Sequence, residues 1–315
     1  MAESRTAHKY QLTISPAAES RKYQIAQPMQ TAENHYPLRK AEKTLDCMVG
    51  MDDVRRFIKE MYSFVYVNEQ RVKHGLKPTK QNLHMLFAGN PGTGKTTIAR
   101  LIAEMLKEMN VLTKGHLIEA ERADLVGEYI GQTAQKTRAL VQKASGGVLF
   151  IDEAYSLARG GEKDFGREAV DTLVKAMEDK QHHFILILAG YPDEMQRLLN
   201  LNPGLSSRFP NQLYFEDFNA AQLFEIFEKM VQEKEFWVNA LLKDRIRKHF
   251  FELVLNKRND HNGRYVRNLL EKIIRRHAVR ILEQPETADR DALMTLTEED
   301  FIMEKHNEKK KYYTY

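Results

Sequence analysis

Gly89-Asn90-Pro91-Gly92-Thr93-Gly94-Lys95-Thr96, GNPGTGKT, is the stretch on which the reading of this chain turns. It follows an apolar run at 83–88, LHMLFA, that predicts a buried strand. It opens a run in which Ile98, Leu101, Ile102, Met105 and Leu106 recur at helical spacing. A G-x-x-x-x-G-K-[ST] string between strand and helix is a phosphate-cradling P-loop. Glycines belong there because successive backbone N–H groups must turn inward at φ values that side chains resist. The helix N-terminus behind the loop adds a partial positive charge facing the phosphates. Lys95 then reaches the β- and γ-phosphates, and the Thr96 hydroxyl is placed to ligate Mg²⁺. The competing reading, a glycine-rich turn with a surface lysine, is weakened by the strand-then-helix context. A dinucleotide fingerprint fits worse, because Thr97 stands where a third glycine would be needed. The expected ligand is a nucleoside triphosphate, ATP with Mg²⁺.

A second stretch, SGGVLFIDEAYS at 145–156, supplies the acidic half of such a site. Its apolar run ends in Asp152 and Glu153, which puts two carboxylates at the carboxyl end of a buried strand, where ligands sit in an open α/β sheet. Asp152 suits the Mg²⁺ sphere, and Glu153 suits polarisation of an attacking water. A strand-end capping pair is the bland alternative. Position decides against it: between Lys95 and Asp152 there is room for helix, strand, helix and strand.

Outward from these two stretches, the chain of 315 residues has the 42% hydrophobic and 29% charged composition of an ordinary soluble protein with ample core. A net charge of +4 does not by itself call for nucleic acid, and the basic residues are scattered. Cys47 is the only cysteine, which rules out an internal disulfide, and it reads as a small buried hydrophobe. The first residues are polar and the apolar runs are too short for a membrane span, so a cytoplasmic protein is expected. Residues 1–42 repeat no hydrophobic period and read as an extension, disordered or loosely helical, with order beginning near Leu45. A Val49–Gly50 turn precedes a helix whose stripe is Val54, Phe57, Ile58, Met61 and Val65, with Asp52 or Asp53 as its N-cap. That turn fits either against a nucleotide base or as ordinary packing. Tyr129-Ile130-Gly131 sets an aromatic and an aliphatic residue in a polar segment, and on residue type alone Tyr129 reads as core. Arg208 precedes a proline stop, and an isolated arginine there is normally a surface charge. From Asn219 only helical stripes follow, with Trp237 expected inside the small domain they form. Arg264 and Arg267, three apart, share a helix face that would ordinarily be a solvated basic one.

Taken together, LVGEYIG, LFIDEAYSL, ILAGY, NPGLSSRF and NGRYVRN resemble the AAA+ ATPases of the CbbX/SpoVK group over about residues 45–282. The resemblance implies a parallel five-stranded P-loop sheet sandwiched by helices (43–217), a small all-helical lid (218–284) and a tail (285–315). It implies Walker A at Gly89–Thr96, Walker B at Asp152 and Glu153, and Val49–Gly50 on the adenine side. Arg208 becomes an arginine finger acting in trans, and Arg264 a sensor-2 arginine with Arg267 as its fallback. Tyr129-Ile130-Gly131 becomes a pore loop, which reverses the core reading of Tyr129. Where many relatives carry a water-positioning Asn, Thr or Ser, this chain has Ala189-Gly190-Tyr191, leaving sensor 1 unassigned. The function implied is a hexameric ring that couples ATP hydrolysis to remodelling of a protein client in spore formation or maturation. A DNA-handling AAA+ machine and a P-loop kinase are the alternatives. Tyr129 suits peptide better than phosphate, and Glu153 favours water as acceptor.

Overall fold

The computed structural model describes residues 35–79, 82–129, 131–159, 164–179, 183–201, 203–256, 262–283 and 289–302. Of the features expected above, residues 1–34, Ile130 of the pore loop and residues 303–315 lie outside them.

Two helices come first, α1 (Tyr36–Asp46) and α2 (Asp52–Lys73). Helix α1 starts well before Leu45, because Ala41 and Leu45 are buried and the helix packs on the helix that follows the P-loop. Neither Asp52 nor Asp53 caps α2: Met51 holds that position, and both aspartates fall in the first turn, where they still oppose the helix dipole. Next come β1 (Met85–Gly89), α3 (Lys95–Glu108), β2 (Leu117–Ala120), α4 (Arg122–Leu125) and α5 (Gln132–Lys143). The α/β part closes with β3 (Val148–Ile151), α6 (Gly166–Glu178), β4 (Ile185–Gly190), α7 (Pro192–Leu201), α8 (Pro203–Arg208) and β5 (Asn211–Phe215).

The five strands form one all-parallel sheet in the order β2-β3-β4-β1-β5. Strands buried on both faces read as unbroken apolar runs, and alternate residues feed two cores. Met85, Phe87, Phe150 and Ile187 join α1, α2 and α3 in one core; Leu86, Leu149, Ile151 and Leu188 join α5, α6 and α7 in the other. All five strands point their carboxyl ends at one edge, which is where the site assembles.

The lid is built from α9 (Ala220–Glu233), β6 (Trp237–Val238), α10 (Ala240–Leu255), α11 (Asn262–Leu282), α12 (Arg290–Met294) and β7 (Thr295–Leu296). A capping box between Asn219 and Gln222 starts α9, a device that stabilises a helix by about 1 kcal/mol. The apolar stripes of α9, α10 and α11 meet at Phe227, Ile246, Phe250, Val266 and Leu270, continuous with the first core. To these helices the chain adds one two-residue parallel ribbon, β6 with β7. Trp237 lies on that ribbon with its side chain outward and is 66% exposed, contrary to the expected core position. Phe236 takes the inward place, edge-on to His277 at 5.7 Å. Residues past 284 also pack here: buried Asp300 accepts from Arg280 Nε at 2.9 Å and from Thr297 N at 2.8 Å. Among the described residues no helix is long and apolar enough to cross a membrane.

Candidate nucleotide-binding site

The site grows from the way β1 ends. Phe87 and Ala88 are locked in the sheet, and after Gly89 the chain must turn sharply to enter α3. Gly92 and Gly94 make the turn at φ 79 and 99, values that an L side chain resists. Thr93 is buried and its hydroxyl donates to Asn90 O at 2.8 Å, so the loop braces itself. Lys95, the first residue of α3, is buried, and its ammonium donates to Gly89 O at 2.7 Å and Asn90 O at 2.8 Å. Burial lowers the Lys95 pKa; Asp152 pulls it back up, Arg264 lowers it further, and Asp217 and Glu153 raise it. These groups therefore share one electrostatic site.

They line a cleft of about 520 Å³, within the range of small-molecule sites. From the P-loop come Gly89, Pro91, Gly92, Thr93, Gly94, Lys95, Thr96 and Thr97; from the end of β3 come Asp152 and Glu153. Val49 stands on one wall, and Arg264 and Arg267 reach in from the first turns of α11. Of the residues expected to hold nucleotide, Asn90 and Gly50 alone stay off the lining. The Asn90 amide instead bonds the Asp217 carboxylate, and Gly50, at φ 67, sits tightly under Gln222 and Phe218.

Glu153 is held at φ 47 in the left-handed region, at a cost of roughly 1 kcal/mol for a residue of its type. Its N–H donates to Asp152 Oδ1 at 3.0 Å, which ties the two carboxylates into one turn. Tyr155, two residues on, is buried, and its phenol is pushed up to about 12, first by burial and then by the neighbouring Glu153 carboxylate. Its ring lies 5.7 Å from that of Tyr191 at the end of β4. Asp152, Glu153 and Arg264 also face a second recess lined by Gly127 and Glu128, so the acidic turn lies between the cleft and the base of the Tyr129 loop.

Hard oxygen donors suit Mg²⁺, and the Thr96 hydroxyl and Asp152 carboxylate reach the same cleft. Among the described residues no cluster of three His, Cys, Asp or Glu side chains could hold a metal ion by itself. The residues present fit an ion that takes one or two protein ligands and completes its shell with phosphate oxygens and water.

Two expected features lie elsewhere. Arg208 ends α8 just before β5 begins, at the amino edge of the sheet, opposite the cleft. Its guanidinium pairs with Glu178 at the end of α6 and donates to Gly204 O at 2.6 Å. Tyr129 is 68% exposed on the loop between α4 and α5. Gly131 caps α5 at φ 82, and Gly127 N donates to the Thr133 hydroxyl at 3.0 Å, which fixes the base of that loop.

Sequence reasoning missed Tyr155, which lines the cleft, Asp217, whose charge acts on Lys95, and Asn262, which donates to Asp217. Ile226 and Met230, read as part of a lid stripe, pack against the core and also line the cleft. Cys47, expected to be buried, is exposed beside the cleft. The buried-hydrophobe reading rested on residue type, and Cys47 lies just past the end of α1, where the chain is at the surface.

The sequence matches the family model described as ATPase family associated with various cellular activities (AAA) at residues 85–217 and the AAA lid domain model at 219–311. It is 53% identical to stage V sporulation protein K of Bacillus subtilis, covering 91% of this chain and 89% of that one. It is 40% identical to protein CfxQ of Xanthobacter flavus over 80% of each chain. It is 38% identical to the chloroplastic ribulose bisphosphate carboxylase/oxygenase activase of Cyanidioschyzon merolae, covering 81% of this chain and 87% of that one.

Proposed function

The chain belongs to the AAA family of ATPases, and from that premise we propose that it works as a hexameric ring which uses ATP hydrolysis to remodel a protein client. The Gly89–Thr96 loop holds the triphosphate, and Lys95 offsets the charge on its β- and γ-oxygens. Thr96 and Asp152 hold Mg²⁺, which supplies further charge neutralisation when bound. Glu153 polarises the attacking water; Arg264, with Arg267 beside it, approaches the γ-phosphate from the lid. Val49 flanks the base, and Gly50 makes the turn behind it, packed against the lid rather than the nucleotide. Tyr129, Ile130 and Gly131 grip the client in the central channel. The kinship with a stage V sporulation protein supports a role in spore formation, and the scattered basic residues argue against nucleic acid as the partner. Work in the cytoplasm fits this reading.

The observation that carries the ring is the place of Arg208. It stands at the opposite edge of the sheet from its own cleft, so a catalytic Arg208 must serve the cleft of a neighbouring copy. Such arginines are worth about 10³–10⁵ in rate in related phosphoryl transfer.

The test is the ATPase rate against protein concentration, with Arg208→Ala mixed with Glu153→Gln. A rate per chain that climbs with concentration, and partial recovery when the two inactive variants are mixed, is the expected result. A rate per chain that is flat on dilution, with Arg208→Ala near the parent, overturns the ring and points to a self-contained site.

A further inference from the structure

A single covalent link, residues 216–219, joins β5 to the first lid helix, and a single link leaves a lid free to pivot. The apolar core that the lid shares with the sheet holds it in place, but directional bonds fix an angle over the cleft more sharply than apolar contact does. The structure contains such a set of bonds, centred on a residue outside every motif discussed above. One oxygen of the Asp217 carboxylate accepts from Asn90 Nδ2 at 3.0 Å and the other at 2.8 Å, and its Oδ1 accepts from Asn262 Nδ2 at 2.7 Å. Asn90 belongs to the P-loop and Asn262 is the first residue of α11. Asn262 is 1% exposed at φ 35, and its Oδ1 accepts from Phe218 N at 2.9 Å, so the junction folds back on the helix it leads to. Gly263 N then donates to Gly92 O at 3.1 Å, a bond from lid backbone to P-loop backbone. Arg264 is the next residue.

We propose that Asp217 is a positioning residue: it clasps the lid to the P-loop and so sets Arg264 over the nucleotide. The proposal rests on the reading of Arg264 as a γ-phosphate ligand. An ionised carboxylate suits the task because it only accepts, and it can take N–H groups from two amide side chains at once. Asparagine at 217 would turn its own NH₂ group toward one of them. The clasp joins three segments distant in sequence, and the arginine it steers is two residues from Asn262. A small rotation at the clasp is therefore delivered to the guanidinium nearly undiluted.

The experiment uses the full chain carrying Glu153→Gln, which keeps ATP intact during binding. Hydrogen exchange is followed at the Phe218 and Gly263 amides, and ATP and ADP affinities are measured by competition with a fluorescent nucleotide. Asp217→Ala is expected to speed exchange at both amides about ten-fold, weaken ATP about ten-fold and change ADP less than about three-fold. Arg264→Ala is expected to reproduce the ATP-selective loss without the faster exchange, and Asp217→Asn to fall between. Exchange at the parent rate in Asp217→Ala overturns the clasp. Equal weakening of ATP and ADP overturns the positioning role, since that is what a deformed P-loop alone would give. If Asp217→Ala does not fold, Asn90→Ala, which cuts only the P-loop arm, must show the same selectivity at smaller size, and equal losses there overturn the proposal. An Arg264→Ala without selective loss, beside faster exchange in Asp217→Ala, removes the reading of Arg264 and leaves the clasp standing.

Discussion

The chain leaves the same edge of the sheet after Gly89 and after Ala120, and builds two opposite kinds of loop. After β1 the backbone is braced at nearly every step: by the Thr93 hydroxyl, the Lys95 ammonium, the Asn90–Asp217 bonds and the Gly263 N–H. After β2 the side-chain bracing stops at the base, and one backbone bond, Gln132 N to Tyr129 O at 3.2 Å, closes the turn above it. Glu121 and Asp124 close a capping box, Thr137 Oγ1 donates to Leu125 O at 3.3 Å, and Lys136 Nζ donates to Val126 O at 3.1 Å. Beyond these, Glu128 and Tyr129 stand in solvent. Phosphoryl chemistry rewards donors fixed before the substrate arrives, because reorganisation during the reaction raises the barrier. Gripping a polypeptide of varied sequence rewards reach and an amphipathic aromatic tip on a firm base. On the proposed function one edge serves both, and Asp152 and Glu153 line the recesses on either side.

The largest effect should come from breaking the braced loop. Lys95→Ala removes a preplaced cation from the phosphate path, and phosphate release should fall by about 10²–10³-fold. Stability without nucleotide should move little, because burying that ammonium is costly in itself. A loss of turnover that only tracks a loss of fold would show that the loop is scaffold rather than machinery.

Next in size is a test of the buried start of β1, which should carry stability and take no part in the chemistry. His84, buried just before β1, accepts from Leu186 N at 2.9 Å through Nδ1, and burial lowers its pKa from 6.5 to about 4. Between those values the unfolded chain binds the extra proton, so this contribution to stability is full above about pH 6.5 and is lost as pH falls toward 4. It is worth on the order of 3 kcal/mol. Denaturant midpoints measured across that window should fall in the parent and flatten in His84→Gln. An equal slope in both would locate the acid sensitivity elsewhere.

The two loops were not equally legible. The glycines and Lys95 are written locally, as a spacing that only a tight turn into a helix explains. Asp152 and Glu153 were legible because a fully apolar strand must end somewhere and charges mark the end. Asp217 and Asn262 gave no signal, since their partners lie far away in sequence and each is an ordinary polar residue at an element boundary. Helix α1 was hidden for a related reason: YPLRKAE is polar, and Ala41 gains meaning only against α3. Trp237 is the reverse case: helical stripes alone leave no sign of the short ribbon on which its side chain faces outward. Tyr129 and Arg208 carry no local pattern at all. Both became site candidates only through family resemblance, and on the proposed function their functional partners belong to other chains.

A smaller effect is expected where Arg208 meets Glu178. The pair is partly exposed, and such pairs are worth about 0.2–1 kcal/mol. If Arg208 must leave Glu178 to reach a neighbour's phosphate, Glu178→Ala removes that cost and should raise the assembled rate by at most about five-fold. The melting temperature should barely change. A rate reduced instead would mean that Glu178 aims the guanidinium rather than restrains it.

The smallest effect on the fold should come from the tip of the second loop, and there smallness is informative. Tyr129 is 68% exposed while Leu125 and Thr133 below it are fully buried. Tyr129→Ala should therefore leave stability within about 0.5 kcal/mol of the parent, whereas Leu125→Ala should cost about 2–5 kcal/mol. A large solvent-exposed aromatic that contributes nothing to folding is what a surface kept for a partner looks like. If Tyr129→Ala destabilises the chain by as much as Leu125→Ala, the ring packs within its own subunit in solution. The contrast between a braced loop and a reaching one would then fail at its exposed end.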